Sequence, residues 1–215
     1  METTSLSLQL REGTKGSHTR AERSPFMQSF FRGQVPRDGY RELLARLLPV
    51  YEAIEGAQQK LADHPALKNL NFPQLYRVET IKQDLEFYFG PAWQAHVKDT
   101  PAVKEYVGRI AWLAENWPTG IAAHHYTRYL GDLSGGQMIK RMVQKSFGLE
   151  GNDGVVFYEF PEITDIPAFK DGYRAGMDAM PLTEGEAQKL VDEANRAFDL
   201  NVGLFCELDE LRKAA

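Results

Sequence analysis

Tyr126-Thr-Arg-Tyr-Leu-Gly-Asp-Leu-Ser-Gly-Gly-Gln137 decides the fold, because this stretch places three glycines inside a long helical pattern. Gly131, Gly135 and Gly136 fall within about one and a half helical turns. Each glycine inside a helix costs about 1 kcal/mol relative to alanine, so the three together cost roughly 3 kcal/mol. A helix that keeps them has backbone bare of side chains, against which a flat ligand can lie. Asp132 stands within this bare segment, where a buried carboxylate needs a partner.

Helical periodicity extends from this stretch over nearly the whole chain. We therefore predict an all-α fold, a single domain of residues 1–215 with eight or nine helices. Residues 151–167 are the exception, and we predict a loop there with at most a short extended piece. The predicted helices cover residues 6–22, 26–31, 37–62, the later part of 72–89, 102–116, 121–147, 168–180 and 182–212.

Composition excludes several classes of protein. The 215 residues include 25 Lys and Arg against 30 Asp and Glu, and the net charge of −5 argues against general nucleic-acid binding. The single cysteine, Cys206, excludes an intramolecular disulfide and a cysteine-rich metal site. Met1–Leu8 has neither the basic nor the apolar region of a secretory signal, and no run of about 18 apolar residues occurs. The C-terminus carries no tail anchor, so we expect a soluble, cytoplasmic protein without a membrane anchor.

Two pairs of cations lie on predicted helices. Arg11, Lys15 and His18 follow one another at spacings of four and three, and so share one helix face. An imidazole beside cations suits a metal ligand close to an anionic group, although an ordinary surface helix is the alternative. Lys170 and Arg174, again four apart, could clamp carboxylates from one helix edge or form a solvated basic edge.

Apolar stripes on two helices have two interpretations. Phe198, Asn201 and Phe205 recur at spacings of three and four on the last predicted helix. Met27 and Phe30 form a similar pair near the N-terminus. Such stripes form the protein core more often than the wall of a cofactor pocket, and the spacing alone does not separate the two.

The remaining histidines and the cysteine are weaker candidates. His124 and His125 are adjacent and point about 100° apart on a helix, so both cannot bind one metal ion. We expect them to form hydrogen bonds instead. Cys206 is followed by Glu207 and Asp209, and nearby carboxylates raise the pKa of a thiol and reduce its reactivity. We therefore interpret Cys206 as a packed or unreactive thiol.

The segment Ala123–Gln137 closely resembles the distal-helix signature of the haem oxygenases. Lys15-Gly-Ser-His-Thr-Arg-Ala-Glu22 is similar to the proximal-histidine segment of the same family. Gln83–Phe87, Tyr173-Arg174 and Ala197–Phe205 extend the similarity, which covers nearly the whole chain. The resemblance implies an all-α fold that holds haem between a proximal and a distal helix.

The resemblance also implies roles for individual residues. His18 matches the proximal iron ligand, and Glu22 matches the residue that orients it. Tyr51, Arg128 and Asp132 match the distal hydrogen-bond network. The implied haem contacts are Arg11, Lys15, Tyr126, Lys170 and Arg174 at the propionates; Gly131, Gly135 and Gly136 on the distal side; and Met27, Phe30, Phe198, Asn201 and Phe205 in the pocket walls. The chain departs from animal members of the family in lacking a C-terminal membrane tail, in Arg11 where some have lysine, and in His125.

The function implied is oxidative cleavage of haem b, at once substrate and cofactor, to biliverdin, carbon monoxide and ferrous iron. Water held by Asp132, with Arg128 and Tyr51 behind it, is expected to deliver a proton to bound dioxygen. No nucleotide-binding fingerprint follows a strand, so electrons must come from a partner such as a ferredoxin or a flavin reductase. We expect a monomer. The alternatives are a haem carrier without turnover and a helical hydrolase of the thiaminase type, for which Cys206 is the sole nucleophile candidate.

Overall fold

The computed structural model describes residues 5–97 and 99–214, and these residues form helices joined by loops, with no strand among them. The predicted all-α fold is confirmed. The helices are α1 (Leu6–Gly13), α2 (Lys15–Glu22), α3 (Pro25–Phe31), α4 (Arg37–Lys60), α5 (Val78–Phe89), α6 (Pro101–Asn116), α7 (Ile121–His125), α8 (Gly131–Phe147), α9 (Ile166–Asp178) and α10 (Glu184–Ala214).

Two predicted helices are divided. The first one breaks at Thr14, whose backbone angles are φ −101° and ψ −2°. The break is slight, because the Thr14 amide donates to the Leu10 carbonyl at 3.0 Å and the His18 amide to the Thr14 carbonyl at 2.9 Å. The Thr14 hydroxyl also donates to Leu10, at 2.7 Å. α1 and α2 therefore form one slightly bent rod.

The glycine-bearing helix also has an internal change of geometry. A π-helical turn, Tyr126–Leu130, separates α7 from α8. π-Turns inside α-helices are rare and often lie at functional sites. The loop predicted for residues 151–167 is present; it contains a 3-10 turn, Val156–Tyr158, and no strand.

Local sequence signals end and begin the helices as expected. Gly33, Gly90 and Gly148 follow α3, α5 and α8 with φ angles of +64°, +75° and +65°, a conformation that glycine adopts at little cost. Thr183 and Glu186 form the predicted capping box before α10, in which the Thr183 amide donates to Glu186 Oε2 at 2.8 Å.

Two long helices organise the core. α4 contributes fully buried Leu44, Tyr51 and Ile54 and packs against α5, α6, α7 and α10. α10 also packs against α1, α2 and α3. The α1–α2 rod and the α7–α8 segment therefore both pack on α10, which leaves space between them.

Within residues 5–97 and 99–214, every helix is too short or too polar to cross a bilayer. The prediction that the chain has no secretory signal rests partly on Met1–Thr4, which lie outside the described residues. Ala215, which belongs to the C-terminal segment predicted to carry no anchor, lies outside them as well.

Candidate functional site

A cavity of about 640 Å³ opens between the α1–α2 rod and the start of α8. α10 closes a third side with Phe198, Asn201 and Phe205. Ligand pockets in proteins occupy about 300–1,000 Å³, so this cavity is large enough for a cofactor-sized molecule. The sequence-predicted residues that line it are Arg11, Lys15, His18, Glu22, Met27, Tyr126, Arg128, Gly131, Asp132, Gly135, Arg174, Phe198, Asn201 and Phe205.

The first wall is a helical stripe centred on His18. Its side chain is 56% exposed, and its Nδ1 lies 3.5 Å from Glu22 Oε2, one turn further along α2. The ring of Phe198 contacts the imidazole edge-on, with 5.7 Å between ring centroids. No described residue forms a hydrogen bond with His18 Nε2. The Glu22 contact occupies one ring nitrogen and leaves the other as the available ligand atom.

The second wall is helix backbone. A Cβ atom added at Gly131 or at Gly135 would meet no heavy atom within 4 Å outside the helix itself, and both glycines line the cavity. Gly136 differs, because a Cβ there would lie 2.9 Å from the ring of Tyr158. Gly131 and Gly135 therefore leave the cavity wall without side chains, and Gly136 permits close packing behind that wall.

A buried polar cluster stands behind this wall. The Tyr51 hydroxyl donates a hydrogen bond to Asp132 Oδ2. Arg128 Nε donates to the Tyr51 hydroxyl at 3.0 Å, and a second guanidinium nitrogen, Nη1, donates to Asn201 Oδ1. Asn201 is fixed in turn, since its amide nitrogen donates to the Ala197 carbonyl at 2.7 Å. Each member of the cluster is thus held by at least one other.

Burial sets the ionisation of this cluster. It raises the pKa of Asp132, against the opposing charge of Arg128 and the hydrogen bond from Tyr51. It also raises the pKa of Tyr51 well above its usual value, so Tyr51 stays a neutral phenol. Asp132, which lines the cavity, is therefore a carboxyl group whose proton affinity is higher than that of an exposed aspartate.

Positive charge collects on one side of the cavity. Arg11 on α1 and Arg174 on α9 both line the cavity with Tyr126, and α1 packs against α9. Both charges lower the pKa of Tyr126, against the larger effect of its burial. Each arginine forms an ion pair with an acidic neighbour: Arg11 with Glu12 at 2.9 Å and Arg174 with Asp171 at 2.6 Å. These pairs are exposed, so an anionic ligand can replace the acidic partner at low cost.

Four predicted site residues lie outside the lining. Tyr51 lies behind Asp132, and Gly136 lies behind the wall. Phe30 is fully buried and packs edge-on against Phe26, with ring centroids 5.3 Å apart. Lys170 lies beside the lining and donates from Nζ to Ser134 Oγ at 3.2 Å. Phe30 therefore supports the wall from the core, and Lys170 contacts a residue that lines it.

The adjacent histidines form separate hydrogen bonds, as predicted. His124 Nε2 lies 2.8 Å from Glu193 Oε1, and His125 Nδ1 lies 2.8 Å from the Tyr173 hydroxyl. Both imidazoles are fully buried, and burial lowers the pKa of His125 to about 3. Cys206 is exposed on α10.

Sequence reasoning missed several lining residues. Ser7, Thr14 and Ala21 continue the stripe of Arg11 and His18 at alternating spacings of four and three, so the helical period contained that signal. Leu8, Glu12, Thr127, Leu130 and Ser134 also line the cavity and carried no comparable signal.

The donor set and shape fit a flat, largely apolar ring with an anionic edge and a central metal. An imidazole stands on one wall, bare backbone on the other and cations on one side. A model of the family described as "Heme oxygenase" matches residues 4–207. The chain belongs to the haem oxygenase family.

The chain is similar in sequence and structure to individual members of the family over most of their length. Heme oxygenase 1 of the cyanobacterium Synechocystis is 45% identical over 95% of this chain and 85% of that relative. Human heme oxygenase 1 is 41% identical over 96% of this chain and 72% of that relative. The solved Synechocystis enzyme in complex with heme superposes with a TM-score of 0.94 at 44% identity, covering 98% of this chain and 96% of that one. Heme oxygenase from Leptospira interrogans gives a TM-score of 0.92 at 39% identity, covering 95% and 100%.

Proposed function

We propose that this chain is a haem oxygenase that binds haem b as substrate and cofactor and cleaves it to biliverdin, carbon monoxide and ferrous iron. Dioxygen is the oxidant, and an external donor supplies the electrons. The observation that carries the proposal is a single cavity with His18 on one wall and the bare backbone of Gly131 and Gly135 on the other. Membership of the family supports the same reaction.

His18 is the proposed iron ligand. Its Nε2 is the ring nitrogen left available once Glu22 faces Nδ1. A carboxylate on the far nitrogen of a ligating histidine fixes the ring orientation and raises its basicity. Glu22 is therefore proposed to orient His18. Bound haem supplies the iron at which dioxygen is activated.

The propionates of haem are the proposed partners of the cationic side. Arg11, Lys15 and Arg174 line the cavity there, together with Tyr126, and Lys170 lies beside them. Because a charged edge at one position fixes the rotation of a flat ring, these residues also decide which part of the ring lies near Asp132. Met27, Phe198 and Phe205 cover the apolar body of the ring, and Phe30 backs them.

Asp132 is the proposed proton-transfer group at the distal wall. It combines cavity exposure with a raised pKa, and Tyr51 and Arg128 hold its carboxylate in place. Gly131 and Gly135 leave no side chain between this carboxyl and a ring lying on the wall. A general acid must lie within hydrogen-bond reach of the atom that it protonates, directly or through one water molecule. A haem carrier would need no such buried acid.

The electron donor is proposed to approach the basic side of the cavity. Because the chain has no dinucleotide-binding fingerprint, its electrons must come from another protein. Charge complementarity with the basic side of the cavity favours an acidic ferredoxin or a flavin reductase as that donor. We further propose that residues 1–215 form a single haem oxygenase domain that acts as a monomer.

Haem reconstitution followed by aerobic reduction tests the proposal. The protein should take up hemin in equimolar amount, and reductant with air should then bleach the Soret band and form a bilin. Persistence of the Soret band would establish a carrier instead, and failure to take up hemin would refute haem binding. Cys206→Ser is the control against the thiaminase alternative, and it should leave bilin formation unchanged.

A further inference from the structure

α9 carries two of the cations proposed to hold the propionates, Lys170 and Arg174. It packs mainly against α1 and the 3-10 turn Lys68–Leu70. Asp178, at its last position, accepts the Ser7 amide at 2.7 Å and the Ser7 hydroxyl at 2.9 Å. α9 is therefore joined to α1, and separate contacts must fix it to the distal wall.

Two hydrogen bonds between described residues join α9 to the α7–α8 segment, which carries Asp132 and the bare backbone. Lys170 Nζ donates to Ser134 Oγ at 3.2 Å, in an exposed position. His125 Nδ1 lies 2.8 Å from the Tyr173 hydroxyl, and both of these side chains are fully buried. Because a buried group that loses its partner finds no water, the second bond costs more to break. The His125–Tyr173 pair is therefore the contact that fixes α9 to the distal wall.

Burial keeps this pair uncharged. It lowers the pKa of His125 to about 3 and raises the pKa of Tyr173 well above its usual value. A phenol that keeps its proton can donate to the acceptor nitrogen of a neutral imidazole. His125 Nε2 has no partner among the described residues, so Nδ1 makes the hydrogen bond of this ring. Substitution of either partner therefore removes the whole connection.

The pair lies next to the cationic side of the cavity in sequence. Tyr126 follows His125 and Arg174 follows Tyr173, and both of these neighbours line the cavity. His125 and Tyr173 themselves do not line it. Asp132 stands about two helical turns after His125 along the α7–α8 segment. A displacement at the pair therefore changes the spacing between the α9 cations and the distal carboxyl group.

We propose that His125 and Tyr173 are positioning residues that select the in-plane orientation of the haem ring, and with it the meso carbon that is oxidised. The inference rests on the proposed function. A ring turned in its plane presents its propionates elsewhere, and α9 must shift if Lys170 and Arg174 are to follow them. Such a shift breaks the buried hydrogen bond, so the bond disfavours the turned orientation. Neither side chain touches the ring.

Removal of the bond should increase the share of the turned orientation. Tyr173→Phe deletes only the hydroxyl group and should raise the ratio of minor to major bilin isomer about fivefold, the factor that one buried hydrogen bond contributes to an equilibrium. His125→Leu deletes the acceptor and should have the same effect. The double variant should match each single variant, because all three lack the same bond. Chromatography of the bilins formed in single-turnover reactions measures the ratio.

Two further variants separate this bond from a general loss of packing. His125→Asn keeps a polar side-chain atom near the position of Nδ1, so it should retain the wild-type isomer ratio. Tyr88→Phe removes a hydroxyl outside α9 and the cavity lining, which donates to the Gly154 carbonyl at 3.0 Å. It should leave the ratio unchanged. An equal shift in Tyr88→Phe, or a shift in His125→Asn as large as that in His125→Leu, would refute the role of the pair.

Proton NMR of the hemin complex reads the ring orientation without turnover. In the ferric complex with cyanide, the shifts of the haem methyl groups depend on the angle between the ring and the axial imidazole, so each orientation gives its own signals. The ratio of minor to major signals should rise about fivefold in Tyr173→Phe, while hemin affinity stays close to that of the wild type. The wild-type pattern in Tyr173→Phe would overturn the proposal. If the wild type binds hemin but forms no bilin, the proposed function fails, and this measurement still decides the inference.

Amide hydrogen exchange of the haem-free protein tests the bond itself. The amides of α9 should exchange about fivefold faster in Tyr173→Phe than in the wild type, because local opening of α9 no longer breaks this bond. Tyr88→Phe should leave their exchange unchanged. Wild-type exchange of α9 in Tyr173→Phe would show that the pair does not hold this helix. The measurement needs no ligand, so it distinguishes a failure of the inference from a failure to bind hemin, which would refute the proposed function.

Discussion

The two walls of the large cavity are built in opposite ways. On the α1–α2 wall, His18 and Glu22 are about half exposed, and their contact joins residues one turn apart. On the α8 wall, Asp132 is buried and depends on Tyr51, 81 positions away in the chain. An exposed side chain such as that of His18 tolerates substitutions around it, because water fills the space that a removed side chain leaves. A buried acid depends on every partner that compensates for its burial.

The largest expected effect follows from removing the ligand on the exposed wall. His18→Ala should leave the free energy of unfolding within about 0.5 kcal/mol of the wild type, since the side chain is half exposed. Bilin formation should fall at least about 1,000-fold, which corresponds to about 4 kcal/mol. Urea unfolding of the haem-free variant measures the first quantity, and the rate of bilin formation, together with the optical spectrum of the haem complex, measures the second.

Added imidazole provides the control, because it can occupy the space that His18→Ala leaves and restore nitrogen ligation. An unaltered haem spectrum in the variant would show that another residue is the ligand. Glu22→Gln keeps the ligand and removes only the charge beside it, so its effect should be smaller.

Removing the buried acid should separate binding from turnover. Asp132→Ala should slow bilin formation by about 100-fold, within the range for general acid–base groups. Haem uptake should remain within a few-fold of the wild type, because His18 and the cationic side are intact. Hemin titration and single-turnover kinetics measure the two quantities separately.

The partners of Asp132 should follow it with smaller effects. Tyr51→Phe removes the hydroxyl that donates to Asp132 and should slow turnover by about tenfold, since Arg128 still faces the carboxylate. If Asp132→Ala forms bilin at the wild-type rate, the Asp132 carboxyl group takes no part in the reaction.

The difference between the walls also explains what the sequence could predict. The stripe of Arg11, Lys15 and His18 follows from the helical period, and the bare backbone follows from the glycine spacing. Arg77, whose charge lowers the pKa of Asp132, carried no local signal, because its position depends on how α4 and α5 pack together. The division at Thr14 and the π-turn were missed because neither is marked by a proline, the residue that most clearly interrupts a helical pattern.

The two neighbouring glycines give a sharper test of the bare wall, with effects of opposite sign. Gly135→Ala should raise the free energy of unfolding of the haem-free protein by about 0.5–1 kcal/mol, because helix propensity improves and the added Cβ meets open space. Gly136→Ala should lower it by about 1–3 kcal/mol, because its Cβ would lie 2.9 Å from Tyr158. Urea unfolding of the haem-free variants measures both.

Gly135→Ala, which should stabilise the haem-free protein, should nevertheless weaken haem binding. The methyl group that stabilises the empty protein occupies space against which the ring would lie, so Gly135→Ala should weaken haem affinity by about tenfold, or about 1.4 kcal/mol. Equal haem affinity in Gly135→Ala and the wild type would show that the ring does not lie on this wall.

The smallest expected effect concerns the exposed pairs at the cationic side. Glu12→Gln removes the partner of Arg11, and because that pair is exposed the free energy of unfolding should change by less than about 0.5 kcal/mol. Arg11 is then free for a propionate, so haem affinity should rise about twofold at low salt and return to the wild-type value at about 1 M salt, where screening removes the difference. Glu210→Gln, an exposed acid on α10 outside the cavity lining, controls for net charge. An equal gain in Glu210→Gln would mean that overall charge, and not the Arg11 side chain, sets the affinity.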